Sequence, residues 1–226
     1  VLVSKFHFHS NFPKAGDKMI LQAEVHGYFA VNAYFYIDDE TSAGFLIDPG
    51  AEPERILHII ADRKITVEKI LLTHGHFDHI GAVAEIQRAL KIPAYMHENG
   101  GAYVQNPAWN GSTMVGDKIV LDGVNFLKDG AVIALENNPA FALKLIATPG
   151  HTTDGAIYYS ERDGAAFVGD TIFRGSFGRT DLYGGDFGTL MNSIRTKILT
   201  LPEETILYSG HSEPTTVGAE KNFFRE

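Results

Sequence analysis

The chain has 226 residues, 44% hydrophobic and 21% charged, with 19 Lys and Arg against 28 Asp and Glu for a formal net charge of −9. That apolar share supports a sizeable core and excludes general disorder. No run approaches the ~18 consecutive apolar residues of a membrane span, and the negative field argues against nucleic acid or an acidic membrane as partner.

The first residues, Val1–His7, lack the charged-then-apolar pattern of a secretion signal. Together with the absence of Cys, this fits a cytoplasmic location. It also removes thiolate ligands and cysteine nucleophiles, so any metal must be held by His, Asp or Glu. Met19–Val25, Ala33–Ile37 and Gly44–Ile47 read as strands, closed by the turn Asp48-Pro49-Gly50. Pro53 suits a first helical turn, and Ile56, Leu57 and Ile60 predict a helix over about 53–63. A short strand, Lys69–Leu72, runs into Thr73-His74, and Ile80, Val83, Ala84 and Leu90 mark one helix from about His79 to Leu90. Five more strands follow at Val124–Leu127, Ala131–Leu135, Phe141–Ala147, Ala156–Tyr159 and Ala165–Val168. A Gly-rich loop spans Gly175–Gly188, and helical spacing through Met191, Ile194, Ile198 and Leu201 stops at Pro202. A last strand, Ile206–Tyr208, precedes Gly210-His211 and a polar tail. No linker or fixed-period repeat interrupts the chain. The expectation is one domain over residues 1–226, an α/β (α+β) fold with two packed sheets and helices outside.

Five of the ten His demand explanation. His74, His76 and His79 share Thr73-His74-Gly75-His76-Phe77-Asp78-His79 with Asp78; His151 and His211 lie in Pro149-Gly150-His151-Thr152 and Ser209-Gly210-His211, and Asp170 in Gly169-Asp170-Thr171. Each group directly follows a predicted strand, where ligand sites of α/β sheets form. In an extended segment His74 and His76, two apart, point the same way. Asp78 and His79 open a helix, whose dipole favours a carboxylate, and Gly75 and Gly81 are expected where backbone comes close to the site. A single loop His is ordinarily a hydrogen-bonded loop residue. Crowding three of them with an Asp gains nothing at neutral pH without a cation, so the constellation reads as a metal site of imidazoles and carboxylates suited to zinc or iron. His7, His9, His26, His58 and His97 read as structural or solvated residues.

These residues resemble the metallo-β-lactamase superfamily, whose His-x-His-x-Asp-His signature stands here as His74-Gly75-His76-Phe77-Asp78-His79. The later pieces at Thr148–Thr152, Gly169–Thr171 and Gly210-His211 follow in the same order, and the implied fold is a four-layer αββα sandwich. Within the superfamily the chain is similar to short, single-domain relatives of glyoxalase II (hydroxyacylglutathione hydrolase). Asp170 stands where β-lactamases usually carry Cys, the segment Asp170–Asp181 resembles the glyoxalase and persulfide dioxygenase branches, and Pro214–Lys221 is similar to short glyoxalase-like proteins.

The resemblance implies two divalent metal ions, zinc first, with iron or manganese as alternatives. His74, His76 and His151 would hold one, and Asp78, His79 and His211 the other. Asp170 would bridge them and, with Asp78, serve as a catalytic carboxylate. A hydroxide between the ions would cleave a small-molecule thioester such as an S-acylglutathione. Thr73 and Thr152 would support the ligands, and Arg179 would bind substrate, whereas Arg174, Lys221 and Arg225 read as surface charges. Full-length glyoxalase II holds glutathione with a helical C-terminal domain, but only fifteen residues follow His211, so weak or broadened thioester specificity is expected. A mononuclear iron persulfide dioxygenase using His74, His151 and Asp170 is the alternative; a lactonase, a β-lactamase or a non-catalytic metal-binding module ranks behind it. The insertion Asn99–Met114, with the lone Trp109, is expected to cover a strand edge or border the site mouth.

Overall fold

A computed structural model describes residues 18–224; His7, His9 and Arg225 lie outside the described residues. In the first sheet β1 (Lys18–His26), β2 (Ala30–Asp38) and β3 (Ala43–Ile47) pair antiparallel. Parallel pairing then adds β4 (Thr66–Leu71), β5 (Ala94–His97) and β6 (Val124–Leu127). Parallel neighbours require crossovers. They are α1 (Pro53–Arg63) between β3 and β4, then α2 (Phe77–Ile80) and α3 (Val83–Leu90) between β4 and β5. A short α4 (Gly101–Val104) lies between β5 and β6.

The second sheet begins with β7 (Val132–Ala134), β8 (Ala142–Ala147), β9 (Ala156–Ser160) and β10 (Ala165–Gly169) as antiparallel neighbours. A two-stranded ribbon of β11 (Ile172–Phe173) and β12 (Ser176–Phe177) and the helix α5 (Phe187–Ser193) follow. The chain then returns as β13 (Ile206–Ser209), parallel to β10, and ends in β14 (Thr215–Thr216) and α6 (Val217–Phe223).

Strand alternation builds the layers. Along β2, Ala33, Phe35 and Ile37 join Ile56, Ile60, Val83 and Ile86 of the helices, while Tyr34 and Tyr36 face Phe45, Phe141, Leu145 and Phe167 in the core between the sheets. On β10, Phe167 points into that core, and Ala166 and Val168 pack against Leu190, Ile194 and Val217 beyond the second sheet. Because both faces of each central strand are covered, β2, β3, β9 and β10 read as nearly continuous buried runs. The order helix, sheet, sheet, helix is the expected αββα sandwich.

Some elements differ from the sequence reading. The helix expected from His79 to Leu90 is broken at Gly81-Ala82, because Ala82 N–H donates to Pro49 O at 3.0 Å. A side chain at Gly81 would also collide with the Gly50 carbonyl. The run from Met191 to Leu201 is helical only to Ser193 and continues as a π turn over Ile194–Ile198. The polar tail folds into β14 and α6, where the Thr216 side chain caps the helix by accepting from Ala219 N, and β5 and α4 were not anticipated. Among the described residues no helix is long and apolar enough to cross a membrane.

Candidate metal centre

The ends of β4, β8, β10 and β13 lead into His74, His151, Asp170 and His211 respectively, and the first turn of α2 supplies Asp78 and His79. Their side chains form three groups with donor atoms within 4.8 Å of one another: His74, His76 and His151; His74, His79 and Asp170; and Asp78, His79 and His211. All seven residues expected to be ligands are thus brought to one place.

In the first trio His76 Nδ1 lies 3.1 Å from His74 Nε2 and 2.9 Å from His151 Nε2. Hydrogen bonds on the far side of the His74 and His151 rings set which nitrogen carries the proton. His151 Nδ1 donates to the Arg179 carbonyl at 2.6 Å, so its Nε2 presents a lone pair inward when the ring is neutral. Thr73 donates its hydroxyl to Asp48 Oδ2 at 2.6 Å and therefore accepts from His74 Nδ1 at 3.1 Å, which turns the Nε2 lone pair of His74 inward as well. Burial and the neighbouring His151 push His76 down to about 3, and burial with the other imidazoles drives His74 well below its ordinary value. The three rings are thus kept neutral, with the Nε2 lone pairs of His74 and His151 turned toward His76 Nδ1, an arrangement a cation would satisfy.

Carboxylates dominate the second group. His79 donates Nδ1–H to Asp48 Oδ2 at 3.0 Å and His211 donates Nδ1–H to the Ala30 carbonyl at 2.7 Å. Their Nε2 atoms face Asp170 Oδ1 at 3.4 Å and Asp78 Oδ2 at 3.3 Å. Asp170 Oδ2 is also 3.6 Å from His151 and 3.4 Å from His211, so this one carboxylate touches both trios. Burial opposes charge here, yet Asp170 and Asp48 raise His79 well above its ordinary value, and burial of Asp170 is outweighed by His79, His211 and His151, which hold it well below. Within the cluster, Nε2 of His79 and Oδ1 of Asp170 are buried without a hydrogen-bond partner. Orphaned donors of this chemistry fit two divalent cations.

Asp48 is the supporting residue that the sequence reading passed over as part of a turn. It is 2% exposed and sits in the left-handed region at φ 49°. Its carboxylate takes the Thr73 N–H, the Thr73 hydroxyl and the His79 ring at once. The available signal was its position after β3, matching the other residues that follow strand ends. Asn32 is a second such residue: its amide donates to the carbonyls of Ser209 and Ser212, each at 3.0 Å, and so shapes the loop that carries His211.

Three expectations are corrected, for Thr152, Gly75 and Gly81. Thr152 Oγ1 is buried without a hydrogen-bond partner and supports no ligand, unlike Thr73. Gly75 and Gly81 make room for Tyr103 and for the Gly50 carbonyl rather than for the site. Arg179, expected to bind substrate, lines the cavity; one edge of its guanidinium pairs with Asp181 at 2.7 and 2.8 Å, and its main-chain carbonyl accepts from His151. Asp154, fully buried beside Gly75, was not singled out, and burial pushes its carboxyl up to about 6. His58 and His26 pair with Asp62 and Glu24 at the surface, and His97 closes a turn by accepting from Asn99 N, so none joins the cluster. The 99–114 insertion borders the mouth through Asn110, Gly111 and Met114. Its Trp109 stacks on Tyr183 at 3.7 Å and 18°.

Comparison with known proteins agrees with this geometry. Residues 26–211 match the metallo-β-lactamase superfamily. The chain is 39% identical over 197 residues to a Bacillus subtilis protein named probable metallo-hydrolase YqgX, covering 87% of this chain and 92% of the other. It is 32% identical to the hydroxyacylglutathione hydrolase GloC of Haemophilus influenzae, covering 85% and 91%. Among solved structures, the BLEG-1 B3 metallo-β-lactamase superposes with a TM-score of 0.85 at 36% identity, covering 90% of this chain and 97% of that one. TTHA1623 in a di-iron-bound form gives 0.80 at 34% identity, covering 90% and 98%. ETHE1 from Myxococcus xanthus gives 0.73 at 25% identity, covering 90% and 83%. With the signature, the sandwich and the donor cluster all in place, the chain belongs to the metallo-β-lactamase superfamily, as one of its metallo-hydrolases.

Proposed function

We propose that the chain hydrolyses small-molecule thioesters, S-acylglutathiones being one such class, with two divalent metal ions. The observation that carries this reading is the complete donor set, in which two trios share Asp170 and the outer nitrogens of four His are hydrogen-bonded away. His74, His76 and His151 would hold one ion, Asp78, His79 and His211 the other, and Asp170 both. When bound, such ions lower the pKa of water to about 7 and stabilise negative charge on a carbonyl oxygen.

The remaining work falls to the chain. Asp170 spans the two trios and sets their spacing. Asp48, Thr73 and the carbonyls of Ala30 and Arg179 keep the ring protons on the outer nitrogens, so that no ligand must reorient. Hydrolysis adds the OH of water to the acyl carbon while the carbon–sulfur bond breaks and the remaining proton ends on the thiol. A thiolate, whose conjugate acid has a pKa of ~8.5, leaves without a general acid. Accordingly, among the described residues the only carboxylates lining the cavity are Asp78 and Asp170, both in the donor set.

Support comes from the relatives named as a hydroxyacylglutathione hydrolase and a probable metallo-hydrolase. The test measures metal content of protein grown in unsupplemented medium, then thioester and persulfide turnover on the same sample. Two metals per chain with oxygen-independent thioester cleavage is the expected result. One iron per chain with oxygen uptake on glutathione persulfide would replace the hydrolase by a dioxygenase.

A further inference from the structure

This inference rests on the thioester-hydrolase reading and concerns which thioester the cavity selects. Beside the donor cluster lies a cavity of about 460 Å³ whose wall carries Phe29, Phe77, Met114, Phe173 and Leu182. The size is that of an ordinary small-molecule site. Phe29 and Met114 stand at its rim, 52% and 59% exposed, and the Phe77 ring meets Tyr28 and Phe29 at centroid distances of 6.0 and 5.8 Å. Two separate segments, the β1–β2 turn and the start of α2, thereby make one aromatic surface, and the 99–114 insertion adds a thioether to it.

Among the described residues, the polar side chains of the wall outside the donor set are two, Asn110 and Arg179. Asn110 is fully committed: its amide donates to the carbonyls of Tyr103 and Ile119 at 3.2 and 2.8 Å, and its oxygen accepts from Ser112 N at 3.0 Å. The cation, Arg179, is engaged along its Nε/Nη2 edge by Asp181, which leaves only its Nη1 side for a second carboxylate. Glutathione carries two carboxylates, each of which needs a cation or a donor cradle when it leaves water. This wall offers apolar surface instead, which rewards burial of an uncharged group.

We propose that the site selects thioesters with an aromatic or branched apolar group near the scissile carbonyl over those carrying carboxylates, and that Asp181 acts as a specificity-determining residue by engaging one edge of Arg179. The experiment compares kcat/KM of the metal-loaded enzyme for the 3-phenylpropionyl thioester of N-acetylcysteamine and for S-lactoylglutathione. The neutral thioester is expected to be favoured by about tenfold or more. Phe29→Ser and Met114→Ser, at exposed positions that leave folding intact, shrink that ratio, and Asp181→Asn shrinks it by raising the rate on the glutathione thioester. A wild-type preference for lactoylglutathione, or variants that leave the ratio in place, overturns the inference while the hydrolase reading stands.

Binding is read separately by the fluorescence of Trp109, the lone tryptophan, whose stacking partner Tyr183 directly follows Leu182 of the wall. 3-Phenylpropionate is expected to change the emission at concentrations where glutathione does not; tighter glutathione binding overturns the inference. Failure to cleave either thioester, with the binding preference intact, removes the thioester reading and leaves the apolar selectivity of the cavity.

Discussion

The two halves of the donor cluster treat protons in opposite ways. His74, His76 and His151 are buried imidazoles with no carboxylate of their own, and burial together with mutual repulsion keeps them neutral. In Asp78, His79 and His211 burial works against charge too, but the carboxylates overrule it: His79 and His211 are raised, and Asp78 is lowered by its His211 hydrogen bond. The difference teaches that one fold can set two donor groups of unlike character within a few ångströms, by supplying neutral donors to one and anionic donors to the other. Asp170 belongs to both, and its removal would erase the contrast.

The largest expected effect therefore belongs to Asp170→Ala. Metal content should fall from two per chain to one or fewer, and kcat/KM by about 10³-fold or more, measured by elemental analysis and thioester assay on one preparation. An enzyme that keeps two metals and its rate would remove Asp170 from the centre. Next comes the comparison of single deletions: His76→Ala and His211→Ala should each lose one metal, leaving the other trio loaded.

Asp48→Asn sharpens the picture from outside the cluster. It removes the charge that holds Thr73 and His79 and should weaken metal affinity by about 10- to 100-fold, read by competition with a chromophoric chelator. If affinity is unchanged, the second trio does not depend on its outer partner.

The pH dependence of the chelated protein breaks the symmetry between the halves. His76 has a folded value of about 3 against 6.5 ordinarily. Between these values the unfolded chain binds the extra proton, and stability falls as pH drops from 6.5 towards 3, by about 1.4 kcal/mol per unit from this group alone. His79 has the opposite sign. Its raised value adds stability that is complete below 6.5 and lost as pH climbs through the folded value. Denaturant melts across pH should show His76→Asn flattening the acid limb; an unchanged limb would contradict the assignment.

The smallest effect is expected at Trp109→Ala, which removes the stack on Tyr183 and loosens the loop whose Arg179 carbonyl holds His151. A stability loss of about 1 kcal/mol and a several-fold fall in kcat/KM should both be largely restored by Trp109→Phe.

Much of this was legible from the chain because strand ends and donors coincide in sequence. His74, His151, Asp170 and His211 each follow an apolar run, and sheets deliver such residues to one edge. Helix α1 was readable to its ends, since Pro53 opens it and its apolar spacing is local. Asp48 was harder to see, because a carboxylate in a turn is ordinary until Thr73 and His79 are found against it. Arg179 was legible only in part for the same reason: its side-chain charge was visible, but its pairing with Asp181 and the use of its carbonyl by His151 depend on the loop's path. The broken helix at Gly81 also lay beyond local pattern, since the carbonyl that receives Ala82 N–H belongs to Pro49.

Residue type and spacing alone determined that this chain can bind metal, because imidazoles and carboxylates at His74–His79, His151, Asp170 and His211 have no other shared use. Tertiary structure decided how the cluster divides, which nitrogens face inward, and that apolar side chains from separate segments line the cavity beside it. Those properties arise from contacts between residues far apart in the chain, Asp48 with His79, Ala30 with His211, Arg179 with His151, and no local pattern encodes a contact whose partner is fixed only when both sheets have packed.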